Sequence, residues 1–159
     1  MAEVLSPKAQ KVQDALRVLG FPHEVVESSH TTRSAADAAQ AIGCEIGQIA
    51  KSLVFRRKST ARPILVIASG PNRVNETRIA EHCAEPVEMA DADFVKKRTG
   101  FVIGGVPPIG HPEKLETYID EDLLQHKTIW AAAGNPNAVF ALPPEDLIEM
   151  TDGRVISIK

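Results

Sequence analysis

The chain reads as an α+β fold, a mixed β-sheet flanked by helices. Three observations predict it. Helical and strand patterns interleave irregularly rather than in a repeating strand–helix–strand rhythm. The later strands cluster toward the C-terminus. The apolar runs Lys51–Phe55 and Pro63–Ala68 are separated only by a short basic turn, which makes them a hairpin. With 159 residues, the chain is expected to form one domain, 1–159, able to bury a core without disulfides or metal.

The elements follow in order. Ser6-Pro7 opens a helix, because serine caps and proline suits the first turn. Val12, Ala15, Leu16 and Leu19 share a face at helical spacing, and Gly20 ends it. Phe21 to Glu27 reads as a strand. After a polar linker, Thr32 or Ser34 caps an alanine-rich helix from Ala35 to Ile42, closed by Gly43. Cys44 to Ala50 is expected to be a short helical turn. Pro63 to Ala68 is almost wholly apolar and should be buried on both faces. Asn75 caps a helix to about Cys83, Val87 to Met89 is a short strand, and Ala90 to Lys97 is helical. Leu115 to Ile119, Lys127 to Ala132, Ala138 to Leu142 and Val155 to Ile158 read as strands. One helical turn at Glu121 to Leu124 and a last helix opened by Pro143 lie among them.

Composition excludes several classes. The net charge of −3 rules out a strongly basic nucleic-acid-binding surface, so contact with a phosphate backbone must use a local patch. Cys44 and Cys83 form no CxxC pair, and the five histidines show no metal-binding spacing, so no cofactor and no metal are expected. The start, Met-Ala-Glu-Val-Leu-Ser-Pro-Lys, lacks the apolar core of a signal peptide, and no run is long enough to span a membrane. A cytoplasmic location is the expectation, with neither DNA nor a membrane as partner.

Two stretches stand out, and the chain is expected to build one pocket from them. Lys51 lies at the mouth of an apolar strand, between Ile49-Ala50 and Leu53-Val54-Phe55. A lysine there either snorkels from the strand edge into water or is held in a cleft. In a cleft it serves as an electrostatic clamp or, when desolvated, as a base or Schiff-base nucleophile. The second stretch, Gly104-Gly105-Val106-Pro107-Pro108-Ile109-Gly110-His111-Pro112, holds three glycines and three prolines in nine residues and cannot be regular helix or strand. The N–H groups of Gly104, Gly105 and Val106 are candidates to bind an oxyanion, and a tight structural crossover is the other reading. The loop matches neither GxGxxG nor a P-loop. No nucleophile elbow, carboxylate pair or reactive cysteine motif is present, so an enzyme here would lack a conventional protein nucleophile.

Secondary candidates are Ser52, the polar group Ser28, His30 and Thr31, the loop positions Gly110 and His111, and the turn residues Gly134 and Asn135. In their ordinary roles these are capping groups, turn formers and, for His111, a surface histidine. The clusters Arg56-Arg57-Lys58 and Lys96-Lys97-Arg98 could meet a phosphate backbone, though such runs are commonly solvated faces.

Taken together, Gly47-Gln48-Ile49-Ala50-Lys51-Ser52-Leu53-Val54-Phe55, the run from Thr99-Gly100 to Gly104-Gly105-Val106-Pro107-Pro108-Ile109-Gly110-His111, and Trp130-Ala131-Ala132-Ala133-Gly134 resemble the YbaK/prolyl-tRNA-synthetase-associated editing domain family. The resemblance covers about residues 25 to 150. It implies an aminoacyl-tRNA deacylase that acts in trans on mischarged tRNA, typically tRNA for proline carrying a small wrong amino acid. Lys51 matches the family's functional lysine. Gly104 and Pro108 match the ends of its GxxxP loop, with Gly105, Val106 and Pro107 between them. The implied chemistry needs no metal and no protein nucleophile, the terminal ribose of the tRNA assisting. The implied partners are mischarged aminoacyl-tRNA and an aminoacyl-tRNA synthetase. The alternatives are a non-catalytic tRNA- or synthetase-binding module using the same cleft, and a Schiff-base lysine enzyme.

Overall fold

The computed structural model describes residues 4–28 and 34–159. Its centre is one mixed sheet of eight strands. They are β1 (Val25–Glu27), β2 (Ile49–Arg57), β3 (Pro63–Ser69), β4 (Val87–Met89), β5 (Glu116–Asp120), β6 (Ile129–Ala132), β7 (Ala138–Leu142) and β8 (Arg154–Ile156). The helices are α1 (Pro7–Val18), α2 (Ala35–Ile42), α3 (Glu76–Cys83), α4 (Ala92–Thr99) and α5 (Pro144–Thr151), with 3₁₀ turns at Ile46–Gln48 and Glu121–Gln125. The strand order is β1-β7-β6-β2-β3-β5-β8, and β4 also pairs with β2. This is the mixed α+β architecture that the sequence pattern predicts.

The hairpin of β2 and β3 forms the middle of the sheet, antiparallel from Ala50↔Ser69 to Arg56↔Pro63. Every residue of β3 is buried. The strand's two side-chain sets enter two separate cores, as a pleated strand covered on both faces must. Leu65 and Ile67 join Ala50, Val54 and Ile119 beneath α1, α4 and α5, through Leu16, Val95 and Leu147. Ile64, Val66 and Ala68 join Phe55 and Tyr118 beneath α3, through Ile79 and Cys83. Complete burial of an apolar strand of this size is worth roughly 2 kcal/mol per large side chain, so β3 anchors everything around it.

The helix boundaries have local causes. Ser34 caps α2 by accepting from Asp37 N–H at 3.1 Å, and Gly43 ends it in the left-handed conformation at φ 87°. Asn75 caps α3, accepting from Thr77 N–H at 3.0 Å. Helix α4 begins at Ala92 rather than at the expected Ala90, because Asp91 takes the cap position and accepts from Phe94 N–H at 2.8 Å. The strand expected from Phe21 shortens to Val25–Glu27. Gln13 of α1 is the reason, as its amide holds His23 C=O and Val25 N–H before the chain enters the sheet. The basic turn expected from Arg56 begins later, since Arg56 and Arg57 still pair with Glu88 and Val87 of β4.

The unusual feature is the outer edge of β2. Its start pairs in parallel with β6 at Ile49↔Trp130 and Ala50↔Ala131. Its end pairs antiparallel with β4 from Phe55↔Met89 onward. Between the two the sheet parts. Val54 C=O accepts from Ala90 N–H at 3.1 Å, so the alternation of strand backbone directs the main chain of Ser52 toward the same edge. The Gly/Pro loop closes over this opening.

Candidate active site

A cavity of about 280 Å³ lies at the parting of the sheet. Ile49, Lys51, Ser52 and Leu53 of β2 form one wall, Trp130 and Ala132 of β6 another, Ala35 and Ala38 of α2 a third, and Ile103, Gly104 and Val106 a fourth. The structure therefore brings together the two stretches singled out in the sequence, Lys51-Ser52 and the start of the Gly/Pro loop. The alanine-rich surface of α2 is what leaves room. Its small side chains approach the sheet closely without filling the space above Trp130.

Lys51 is half-buried and shares its face of β2 with Leu53 and Phe55. Its Nζ donates to Gly70 C=O at 3.0 Å. Burial holds its pKa below the ordinary lysine value, and the positive charge of Arg73 pushes the same way while Asp120 opposes both. The ammonium is thus a cation with unused donor capacity at a partly desolvated cavity mouth. Ser52 points to the opposite face. Its Oγ is buried and has no hydrogen-bond partner among the described residues. A buried hydroxyl without a partner costs free energy, and the cavity beside it is where a partner can arrive.

The loop is held rather than loose. Gly104 adopts φ 91°, a conformation that favours glycine. Gly105 packs so tightly that a Cβ there would sit 2.6 Å from Asn135 Cα. Its N–H donates to Val102 C=O at 2.9 Å and its C=O accepts from Gly134 N–H at 3.0 Å. This corrects the expectation that all three amides face a ligand, since that of Gly105 is already bonded inside the loop. Gly104 and Val106 line the cavity, and neither amide has an acceptor among the described residues. Pro107 and Pro108 are buried behind them and form the rigid back of the loop.

Other candidates have structural duties. His111 is not a surface residue. Its Nε2 bonds Pro107 C=O at 2.7 Å, its ring meets Phe101 edge-on, and burial holds its pKa below the usual histidine value. Gly110 packs against Ala15 and Phe101, on the α1 side of the loop. Asn135 Nδ2 donates to Glu27 Oε2 at 2.7 Å and to Ser6 Oγ at 2.9 Å, and Gly134 abuts the backbone of Lys8. These residues hold the loop against α1 and do not line the cavity. Ser28 lines a neighbouring cavity that shares Trp130, Pro136, Val139 and Ala38 with the first. His30 and Thr31 lie outside the described residues.

The basic clusters divide in two. Arg56 pairs with Glu88 at 2.6 Å, Arg57 with Glu85 at 3.1 Å and Glu116 at 2.6 Å, and Arg98 with Glu113 at 2.9 Å. Lys58, Lys96 and Lys97 are exposed and free of such pairs among the described residues. Arg73, which the sequence reading passed over, is the other cation near Lys51. A lone arginine between a turn and a helix cap carries no sequence signal. Among the described residues, no group of three His, Cys, Asp or Glu side chains could hold a metal ion. No helix there is long and apolar enough to cross a membrane.

Comparison with known proteins bears out the fold. A solved structure described as "Crystal structure of a putative trans-editing enzyme for prolyl tRNA synthetase" superposes with a TM-score of 0.93 at 43% identity, covering 98% of this chain and 99% of that one. The "Uncharacterized protein YwhH" of Bacillus subtilis is 30% identical over 133 residues, 84% of each chain. The "Putative Cys-tRNA(Pro)/Cys-tRNA(Cys) deacylase EbsC" of Enterococcus faecalis is 28% identical over 157 residues, 95% of each. The model of the aminoacyl-tRNA editing domain matches residues 29–150, and with the lysine strand and the Gly/Pro loop meeting at one cavity, the chain belongs to the aminoacyl-tRNA editing domain family and to the enzyme class of aminoacyl-tRNA deacylases.

Proposed function

We propose that this protein acts in trans and hydrolyses the ester of mischarged tRNA, tRNA for proline carrying a small wrong amino acid. The observation that carries the reading is the small, largely apolar cavity of about 280 Å³ with a lysine and two loop amides that have no acceptor among the described residues at its edge. Such a volume suits a short side chain and lies below the usual range for drug-sized ligands. The resemblance to proteins named for prolyl-tRNA synthetase and for Cys-tRNA(Pro) supports the choice of tRNA.

The geometry suggests a division of labour. Trp130, Ala38 and Ile49 surround the amino-acid side chain. The N–H groups of Gly104 and Val106 donate to the ester carbonyl and to the oxyanion it becomes when water adds to the carbonyl carbon. The bond from that carbon to the ribose oxygen then breaks, and the ribose oxygen takes up a proton. A neighbouring ribose hydroxyl of the substrate steers the water, which fits a cavity whose lining, among the described residues, offers no histidine or carboxylate. Lys51 holds the anionic end of the tRNA electrostatically. A pocket of this kind discriminates one methylene by only about 1–3 kcal/mol, so volume is the main filter.

The test is deacylation of alanyl-, cysteinyl-, seryl- and threonyl-tRNA by wild type and Lys51→Ala. Turnover of one or a few species, lowered about 100-fold or more by Lys51→Ala, is expected. Binding of tRNA without turnover of any species would overturn the reading in favour of a recognition module.

A further inference from the structure

A second, more open cavity of about 590 Å³ adjoins the first, and Lys51 and Leu53 line both. Beside the apolar Phe55, Val74 and the exposed side chain of Met89, it carries polar groups that the first cavity lacks: Asn72, Arg73 and Asn75, with Glu76 at the rim. The segment that carries Arg73 is anchored on both sides. Asn72 Nδ2 donates to Asp120 Oδ2 at 2.8 Å and to Asp122 Oδ2 at 2.7 Å. Asn75 N–H donates to Ile158 C=O at 2.7 Å, and its side chain caps α3. Arg73 is therefore presented by a braced turn.

Its guanidinium differs from those of four other arginines, although Arg154 of β8 likewise has no ion pair among the described residues. Arg56, Arg57, Arg78 and Arg98 each pair with a glutamate. Arg73 has no hydrogen bond or ion pair among the described residues, yet it is near enough for its charge to act on Lys51. Two like charges set side by side repel, and an unpaired guanidinium fork beside an ammonium is complementary to a phosphate. Asp120 favours the charged form of Lys51 and Glu76 lines the same cavity, so the carboxylates nearby offset part of the charge but leave the Arg73 guanidinium without an ion pair among the described residues. Asp120 and Asp122 are engaged by Asn72, and Asp122 also by Lys159 at 3.0 Å.

We infer that Arg73 is a substrate-positioning residue, and that Lys51 and Arg73 together grip the phosphodiester joining the last two nucleotides of the tRNA, with the terminal base against Met89 and the acyl ester reaching past Lys51 into the apolar cavity. This rests on the deacylase reading and extends it by assigning the second cavity to the nucleotide. Lys51, at the junction, serves both cavities, whereas Arg73 touches only the nucleotide side.

The experiment compares Arg73→Ala and Arg73→Lys with wild type in two assays. The first is binding of the trinucleotide CCA, which ends every mature tRNA, against free adenosine, which has no phosphate. The second is hydrolysis of aminoacyl-tRNA against aminoacyl-adenosine. Arg73→Ala is expected to weaken CCA binding about tenfold, the order of one lost charge-assisted contact, with partial recovery in Arg73→Lys. On aminoacyl-tRNA it should raise KM by a similar factor with little change in kcat, and the loss should be several times smaller on aminoacyl-adenosine. Equal losses with and without the phosphate, or unchanged CCA binding, would overturn the assignment. Absence of hydrolysis by wild type would count against the deacylase reading alone, because the CCA comparison still decides the role of Arg73.

Discussion

At the scale of single residues, the site combines a cation that is disfavoured where it stands with a hydroxyl that has no partner among the described residues. Lys51 is partly desolvated and repelled by Arg73, so its pKa lies below the ordinary lysine value. The charged form is the one that clamps an anion, and it is lost as pH rises through that depressed pKa. The activity of wild type should therefore decline on the alkaline side at a lower pH than an unperturbed lysine, about 10.4, would allow. In Lys51→Arg that decline should move to higher pH, because guanidinium keeps its proton. A pH profile of kcat/KM in both proteins checks this. Ser52 gives a prediction of opposite character. Its Oγ is buried and has no partner among the described residues, so Ser52→Ala should leave Tm unchanged or slightly raised while deacylation falls. Thermal melts and kinetics on the same samples decide it, and a clear loss of stability would mean that the hydroxyl already has a partner.

At the scale of elements, the Gly/Pro loop works because it is braced from behind. Gly105 lies against the backbone of Asn135, and the two segments are joined by the bond from Gly134 N–H to Gly105 C=O. Asn135 is in turn fixed to Glu27 and Ser6. Hydrogen bonds from the Ser6 hydroxyl and N–H hold the Glu27 carboxyl below its usual pKa range. Gly105→Ala would drive a methyl group into the Asn135 backbone, so the loop must shift away from Asn135 and lose its present position at the cavity. The expected result is a destabilisation of about 1–3 kcal/mol, typical of overpacking, and a fall in kcat larger than any change in KM. Denaturant unfolding and steady-state kinetics test the two parts separately.

At the scale of the whole molecule, the question is how a chain of net charge −3 meets a polyanion. The six basic residues of the two clusters are not equivalent. Arg57 bonds Glu116, Glu85 and the Cys83 carbonyl, and its hydrogen bonds to Glu116 and then Glu85 push its pKa upward, so it is part of the framework. Lys58, Lys96 and Lys97 are exposed and available. Reversing charge at these three lysines should weaken tRNA binding and flatten its dependence on salt, by about one unit of slope per lost phosphate contact, without lowering Tm. Arg57→Ala should instead lower Tm, leaving the salt dependence near that of wild type. Titrations at several salt concentrations, beside thermal melts, separate the two outcomes.

Much of this was legible in the linear chain. Ser34 and Asn75 announce caps, Gly43 an end, and Pro63–Ala68 a strand buried on both faces, because these effects depend on residues within a few positions of one another. The meeting of Lys51 with the Gly/Pro loop was expected from residue type and from family resemblance. What only the tertiary structure decided is how each group is partnered. Three of the candidate arginines are tied to glutamates between 15 and 59 residues away. Asn135 is bound to Ser6 and Glu27 across more than a hundred positions. Gly105 has its amide turned inward, and Arg73, unremarkable in the sequence, stands beside Lys51. Local propensity sets where elements begin and end, but whether a polar group is free for a substrate depends on neighbours brought from distant parts of the chain, and their approach is fixed by the packing of the whole sheet.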